Sequence, residues 1–278
     1  TVDFALIDGY EVVKNFKFKA FEHNIPLMRM LNNEVTFTGM IEAARSEWDW
    51  KNIRAYLNIL EEYSTYLSQK EKLFALSFLY ELLVHREGDI RRQAAKLMGT
   101  IIIHYDMGYT KEMPEDVKIT HKEKNAGLSL WDKYLGFFLT PGYKVTDKQK
   151  EWIGYSLRMF VDSVINSPRN TLKEEYLEIF LKHIREDIND ETARFNSLNS
   201  LLSIPLELYD KEQLDFVVDF SIKHFRDTSY SIRLMAAQFL FKAVQQIKIT
   251  GHTLKEILNI VSEFSPDDGL CMNYLKYK

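Results

Sequence analysis

Trp48-Asp49-Trp50, with Arg54 four residues on, is the cluster in this sequence whose residue types most suggest ligand chemistry. Aromatic rings flanking a carboxylate can hold a cationic or planar group. The plainer reading is two tryptophans capping a core where a helix starts. A second patch is mildly basic and aromatic: Trp152 and Tyr155, preceded by Lys144, Lys148 and Lys150. Its plainer reading is a charged, solvated helix start. Trp48, Asp49, Trp50, Arg54, Lys148 and Trp152 are the candidate ligand or partner surface.

Other chemistry has no foothold in the spacing. The seven histidines (23, 85, 104, 121, 183, 224 and 252) never fall at metal-ligand spacing, and Cys271 has no second cysteine to join. Zinc sites need such pairs. His85, His104, His183 and His224 fall at helix ends, where a histidine commonly caps carbonyls. No glycine-rich phosphate loop and no nucleophile elbow occurs. Asp187-Ile188-Asn189-Asp190-Glu191 opens like a calcium loop. Thr192 then stands where glycine is required and Leu198 where the bidentate glutamate belongs, so it reads as a turn and helix start. No catalytic residue, metal or cofactor is expected.

Composition narrows the class. Hydrophobic residues make up 46% of the 278, enough for a real core. Eleven glycines and six prolines are too few for an all-β protein. A net charge of −4 argues against general nucleic-acid binding. The single cysteine and the absence of glycosylation sequons fit a reducing, cytoplasmic setting. The longest apolar run, Leu73 to Val84, contains Glu81 and falls well short of the roughly 20 residues of a membrane span. Thr1 in place of an initiating methionine suggests a piece of a longer protein or a processed one.

The elements that must carry these residues are helices. All six prolines (26, 114, 141, 168, 205 and 266) fall between periodic apolar segments, as helix breakers must. Ser68/Glu71, Thr146/Gln149, Thr171/Glu174 and Thr253/Glu256 have capping-box spacing, with Asp210/Gln213 a fifth, weaker match. These marks predict paired helices: 34–45 with 48–66, 69–85 with 88–105, 128–140 with 147–166, 171–186 with 189–203, and 210–225 with 228–247. A last helix follows at 252–264. Helix 69–85 is apolar nearly all round, through Leu73, Phe74, Leu76, Phe78, Leu79, Leu82 and Leu83, as an interior helix would be. Residues 1–33 read as an N-terminal capping segment. Its first thirteen residues fit a hairpin around Asp8-Gly9 or, preferably, a helix with Leu6, Tyr10 and Val13 on one face. Residues 106–127 read as an insertion loop within a repeat domain spanning 34–278.

A phrase recurs along the chain. Ile90-Arg91 is followed by Ala94-Ala95, Leu97 and Gly99; Ile232-Arg233 by Ala236-Ala237, Phe239 and Leu240; Ala193-Arg194 opens a looser copy. The steps from Arg54 to Arg91 and from Arg194 to Arg233 are 37 and 39 residues. This self-similarity resembles the HEAT repeat family, particularly the repeats of the PBS-lyase type. The resemblance implies an all-α fold, a right-handed α/α superhelix of about five helix pairs. It implies that acidic and arginine residues brace successive repeats: Glu87 with Arg91, Asp190 with Arg194, and Asp227 with Arg233. Arg in a helix's first turn is poorly placed for the dipole, and a carboxylate at an adjacent helix start would correct that. The implied function is a non-catalytic protein-interaction or scaffold module, or the regulatory part of a larger protein, with a protein or peptide partner on its concave surface. The alternative is a HEAT-like DNA alkylation-repair glycosylase or another nucleic-acid-binding solenoid, with the tryptophans and Asp49 in the chemical roles.

Overall fold

The computed structural model describes residues 33–65, 67–105, 126–142, 144–185, 188 and 190–246, with positions 255 and 259. The described residues are all-helical: α1 Glu34–Ser46, α2 Trp50–Tyr63, α3 Gln69–Leu82, α4 Gly88–Tyr105, α5 Ala126–Leu139, α6 Asp147–Ile165, α7 Lys173–Arg185, α8 Glu191–Leu201, a short 3-10 turn Leu206–Leu208, α9 Lys211–Phe225 and α10 Tyr230–Gln246. Apart from positions 255 and 259, the expected helix at 252–264 lies outside the described residues, as do the N-terminal segment through residue 32 and most of the 106–127 insertion. Ala126 and Gly127, assigned to that insertion from sequence, already belong to α5.

Local chemistry sets the helix starts. Ser68 with Glu71, Thr146 with Gln149 and Asp210 with Gln213 each form a complete capping box. Both partners satisfy an amide that the first turn leaves open. Thr171 does not cap. The chain enters α7 two residues later, where the Leu172 amide donates to Asn170 Oδ1 at 2.8 Å. Asn170 is buried and its own amide donates to the Val164 carbonyl at 2.9 Å, so it is anchored where Thr171 is exposed.

The chain divides into two compact units, residues 1–176 and 177–278. In the first unit, helices stack as hairpins in a solenoid-like arrangement. Alternate helices run parallel, because their contacts advance together. Arg45 reaches Glu81, and Phe37 packs on Phe74, between α1 and α3. Gln93 Nε2 donates to Asn58 Oδ1, and Lys96 pairs with Glu61, between α2 and α4, with partners 35 residues apart in both cases. Tyr80 of α3 donates to the Phe137 carbonyl of α5 at 3.1 Å and packs among Tyr134, Phe137 and Phe138.

The α4–α6 approach is the tightest. A side-chain carbon on Gly99 would collide with Ser163 Oγ and sit 3.0 Å from Ser163 Cβ and 3.1 Å from Val164 Cγ2. Gly99→Ala is therefore expected to destabilise by about 1–2 kcal/mol, overpacking outweighing alanine's better helix propensity. Urea unfolding followed by circular dichroism reads this, and adding Ser163→Ala should restore part of the loss. A neutral or stabilising Gly99→Ala would contradict the close approach.

One expectation about burial is overturned. Leu73, read as part of an apolar girdle, is 42% exposed, whereas its neighbour Lys72 is fully buried. Lys72 is tolerated because its ammonium donates to the His104 carbonyl at 2.9 Å, at the C-terminal end of α4 where carbonyls want a cation.

In the second unit, α8 packs on α10 and α9 on α10. The face that α8 buries is polar by composition. Asn196, Ser197 and Ser200 are buried, each donating to a carbonyl four residues back at 2.7 Å. Donors satisfied within their own helix let a neighbour approach without stranding them, although Asn196 Oδ1 finds no partner among the described residues. Lys242 of α10 donates to the Leu202 and Ile204 carbonyls, both at 3.0 Å, and so closes the end of α8.

Candidate functional site

The two surface patches read separately from the sequence meet on one edge of the first unit. Because α2, α4 and α6 are parallel, their N-terminal ends lie side by side. Trp48 and Trp50 stand at the start of α2, Arg91 and Arg92 at the start of α4, and Lys148 and Trp152 at the start of α6. The residues expected on a concave helix face thus sit toward the hairpin-loop edge, because each belongs to a helix cap or one of the first two turns.

At α2, Asp49 is the N-cap, accepting the Lys51 amide at 3.0 Å. Glu47 orients it by accepting the Asp49 amide at 2.9 Å and Asn52 Nδ2 at 3.1 Å. Trp48 does not cap a core: it is 82% exposed. Trp50 is half-buried, with the Lys51 ammonium 5.9 Å from its ring centre, and Arg54 is exposed.

At the start of α4, Arg91 reaches the Trp152 patch. Its guanidinium carbon lies 4.5 Å from the centre of the Trp152 ring, and the Lys148 ammonium lies 5.2 Å from the same ring. Both distances are within cation–π range. Tyr155, one turn further along α6, is 57% exposed. Three neighbouring cations have carboxylates: Arg86 with Glu87, Arg92 with Asp89, and Lys150 with Asp147. Burial and the neighbouring Arg92 pull the Arg91 guanidinium below its ordinary value, with Glu87 opposing them.

The bracing arginines share a device that the spacing did not reveal. Arg91 Nη1 donates to the His85 and Arg86 carbonyls, and Arg233 Nη1 to the Asp227 and Thr228 carbonyls, six and five residues back in each case. Arg194 Nη1 reaches the Ile188 carbonyl, again six back. Each arginine thereby ties down the loop that precedes its own helix. Among the described residues, only Arg194 of the three also closes a carboxylate pair, its Nε donating to Asp227 Oδ2 at 2.9 Å across 33 residues. Asp190 instead caps α8 through the Ala193 amide, and Glu87 pairs with Arg86.

Asp227, Arg194 and His224 line a cavity of about 470 Å³ in the second unit, with Phe216, Phe220 and Arg185 around them. Burial pulls His224 below its ordinary value, against the pull of the Asp227 carboxylate 3.7 Å away, so the imidazole is neutral near pH 7. Burial pushes the Asp227 carboxyl up, but the Ser229 amide and Arg194 outweigh it and hold it below its usual range.

His85 and His104 do not cap carbonyls with their rings as expected. His104 is buried, with Nδ1 2.9 Å from Ser64 Oγ and Nε2 3.4 Å from Arg169 Nη1. Arginine can only donate, so Nε2 accepts and the Nδ1 proton goes to Ser64, whose hydroxyl donates to the Glu61 carbonyl. Burial, Arg169 and Lys72 push His104 down to about 4, which keeps this chain neutral and intact near pH 7. His85 Nδ1 accepts the Glu87 amide at 3.0 Å. No group of described residues has the make-up of a metal site, and no described helix is long and apolar enough to cross a membrane.

No protein-family model matches the sequence, and no curated protein matches it significantly.

Proposed function

We propose that this chain is a HEAT-like protein-interaction module, a non-catalytic scaffold or the regulatory part of a larger protein, and that the edge formed by the starts of α2, α4 and α6 is where its partner docks. The observation that carries this reading is Trp48, a large apolar side chain left 82% exposed beside Trp50, Lys51 and Arg54. Tryptophan and arginine are the residues most often found at the energetic centre of protein interfaces. An exposed one on a loop held by caps on both sides is pre-positioned, so little ordering is lost on binding.

Two features support a protein partner over nucleic acid. The Asp49 carboxylate is engaged in capping α2, and the Trp152 ring already carries two cations, so neither stands ready to hold or stack a base. Acidic residues also interleave with the basic ones along the edge, which interrupts any continuous track for phosphates.

The test uses the whole chain as bait in a lysate of its source, with captured proteins identified by mass spectrometry and their affinity measured with purified components. Trp48→Ala is expected to weaken the interaction by roughly 30-fold, the size of a hot-spot loss of about 2 kcal/mol, with the fold unchanged because the side chain packs on little. An undiminished interaction would assign the docking surface elsewhere. Tight binding to duplex DNA with no protein captured would replace this reading with the nucleic-acid one.

A further inference from the structure

We infer that the α4–α6 part of this edge binds acidic peptide segments, a glutamate or aspartate carboxylate seating on Arg91 and Lys148 beside the Trp152 ring. The inference rests on the protein-interaction reading above and names the partner's chemistry.

Arg91 is held in place before any ligand arrives. One of its terminal nitrogens is fixed by the His85 and Arg86 carbonyls, at 2.5 and 2.9 Å. Its plane is further fixed by the Trp152 ring. Its Nε and Nη2 donate to no described residue, so a pre-oriented fork keeps unused donors of the kind that grip a carboxylate two-handed. Lys148 brings a second charge to the same ring and closes no ion pair with a described residue. This sets the pair apart from Arg86, Arg92 and Lys150 around it, each of which meets a carboxylate. Of these five cations, the two left without a carboxylate therefore sit at one ring.

The neighbours select the kind of anion. Glu87, Asp89 and Asp147 surround the two cations. A polyphosphate, charged at every link, would run against them. A peptide carries its carboxylates on separate side chains and can set one on the arginine while its backbone passes the acidic neighbours. Tyr155, exposed one turn along α6, offers apolar surface to the residues alongside. The chain's net charge of −4 likewise weighs against a polyanion held by charge alone.

The experiment titrates the whole chain into a fluorescein-labelled oligoglutamate peptide at low salt and follows anisotropy. Saturable binding is expected, with Lys148→Glu weakening it by about tenfold or more, as expected when a rim charge is reversed. Glutamate in the first turn suits the dipole of α6, so this variant should fold normally. Lys211→Glu on α9 makes the same change in net charge and is expected to leave binding within about twofold. No saturable binding, equal weakening by the two reversals, or stronger competition from duplex DNA than from unlabelled peptide would each overturn the inference. Failure here is separable from failure of the interaction reading. If the peptide does not bind while Trp48-dependent partner capture persists, the acidic-peptide assignment alone falls. If capture is lost to no variant while the peptide binds through Lys148, the Trp48 docking assignment falls.

Discussion

Trp131→Ala is expected to lower the stability of the first unit by about 3–5 kcal/mol, the range for deleting a large buried aromatic side chain. Trp131 is fully buried in α5, its ring 4.9 Å from Phe160 and 5.8 Å from Tyr176, and its indole nitrogen donates to the Tyr176 carbonyl at 2.9 Å. Alanine empties the space and removes the indole hydrogen bond, and the two losses add. Trp131→Phe fills part of the space but still lacks the indole hydrogen bond, so it should fall between wild type and Trp131→Ala. Urea unfolding, with the slope checked for constancy, measures both. A loss below about 1 kcal/mol for alanine would mean that α5 does not pack as described.

Asp227→Ala is expected to cost about 3 kcal/mol, the lower end of the range for breaking a buried pair by removing one partner. The carboxylate accepts from Arg194 and from the Ser229 amide, both at 2.9 Å, so its loss frees the Arg194 guanidinium and opens the α9–α10 turn. The sign of the pH effect follows from the direction of its shift. The folded carboxyl is held below its ordinary value by the Ser229 amide and Arg194, despite burial. Its contribution is therefore fully present above the ordinary carboxylate range and is lost as pH falls through and below it. Asp227→Ala should flatten that acid limb of the stability curve, and Asp227→Asn should do the same while sparing the Ser229 contact. Combining Asp227→Ala with Arg194→Met should cost less than the sum of the two, because they act on one pair. An unchanged acid limb in both single variants would show that the pair contributes little.

Much of the helix pattern was legible because it rests on short-range chemistry. Proline positions, three capping boxes and the apolar period each act within a turn or two, and α4 emerges with the expected limits. Thr171 misled because capping depends on which polar side chain is anchored, and Asn170 is anchored by the Val164 carbonyl six residues back, which capping-box spacing does not report. Lys72 and Leu73 exchanged their expected places for a similar reason. A lysine can be buried where a carbonyl waits for it, and that carbonyl belongs to His104, 32 residues away. The candidate edge was half legible. Both aromatic patches could be read from composition, but their meeting across α4 required knowing that the second helices of successive hairpins run parallel. The arginine grip on loop carbonyls left a trace in the sequence, the recurring apolar-arginine pair, whose acceptors are main-chain atoms that carry no residue code.

The side-by-side starts of α2, α4 and α6 amount to a comb. Helices in contact are spaced about 8–10 Å apart. A polyproline II chain climbs about 3.1 Å per residue and turns once every three residues, so about three of its residues cover one tooth-to-tooth step. Lying across such a comb, a strand in that conformation would turn the same side toward every tooth, and a motif of about seven residues would run from Trp50 to Trp152.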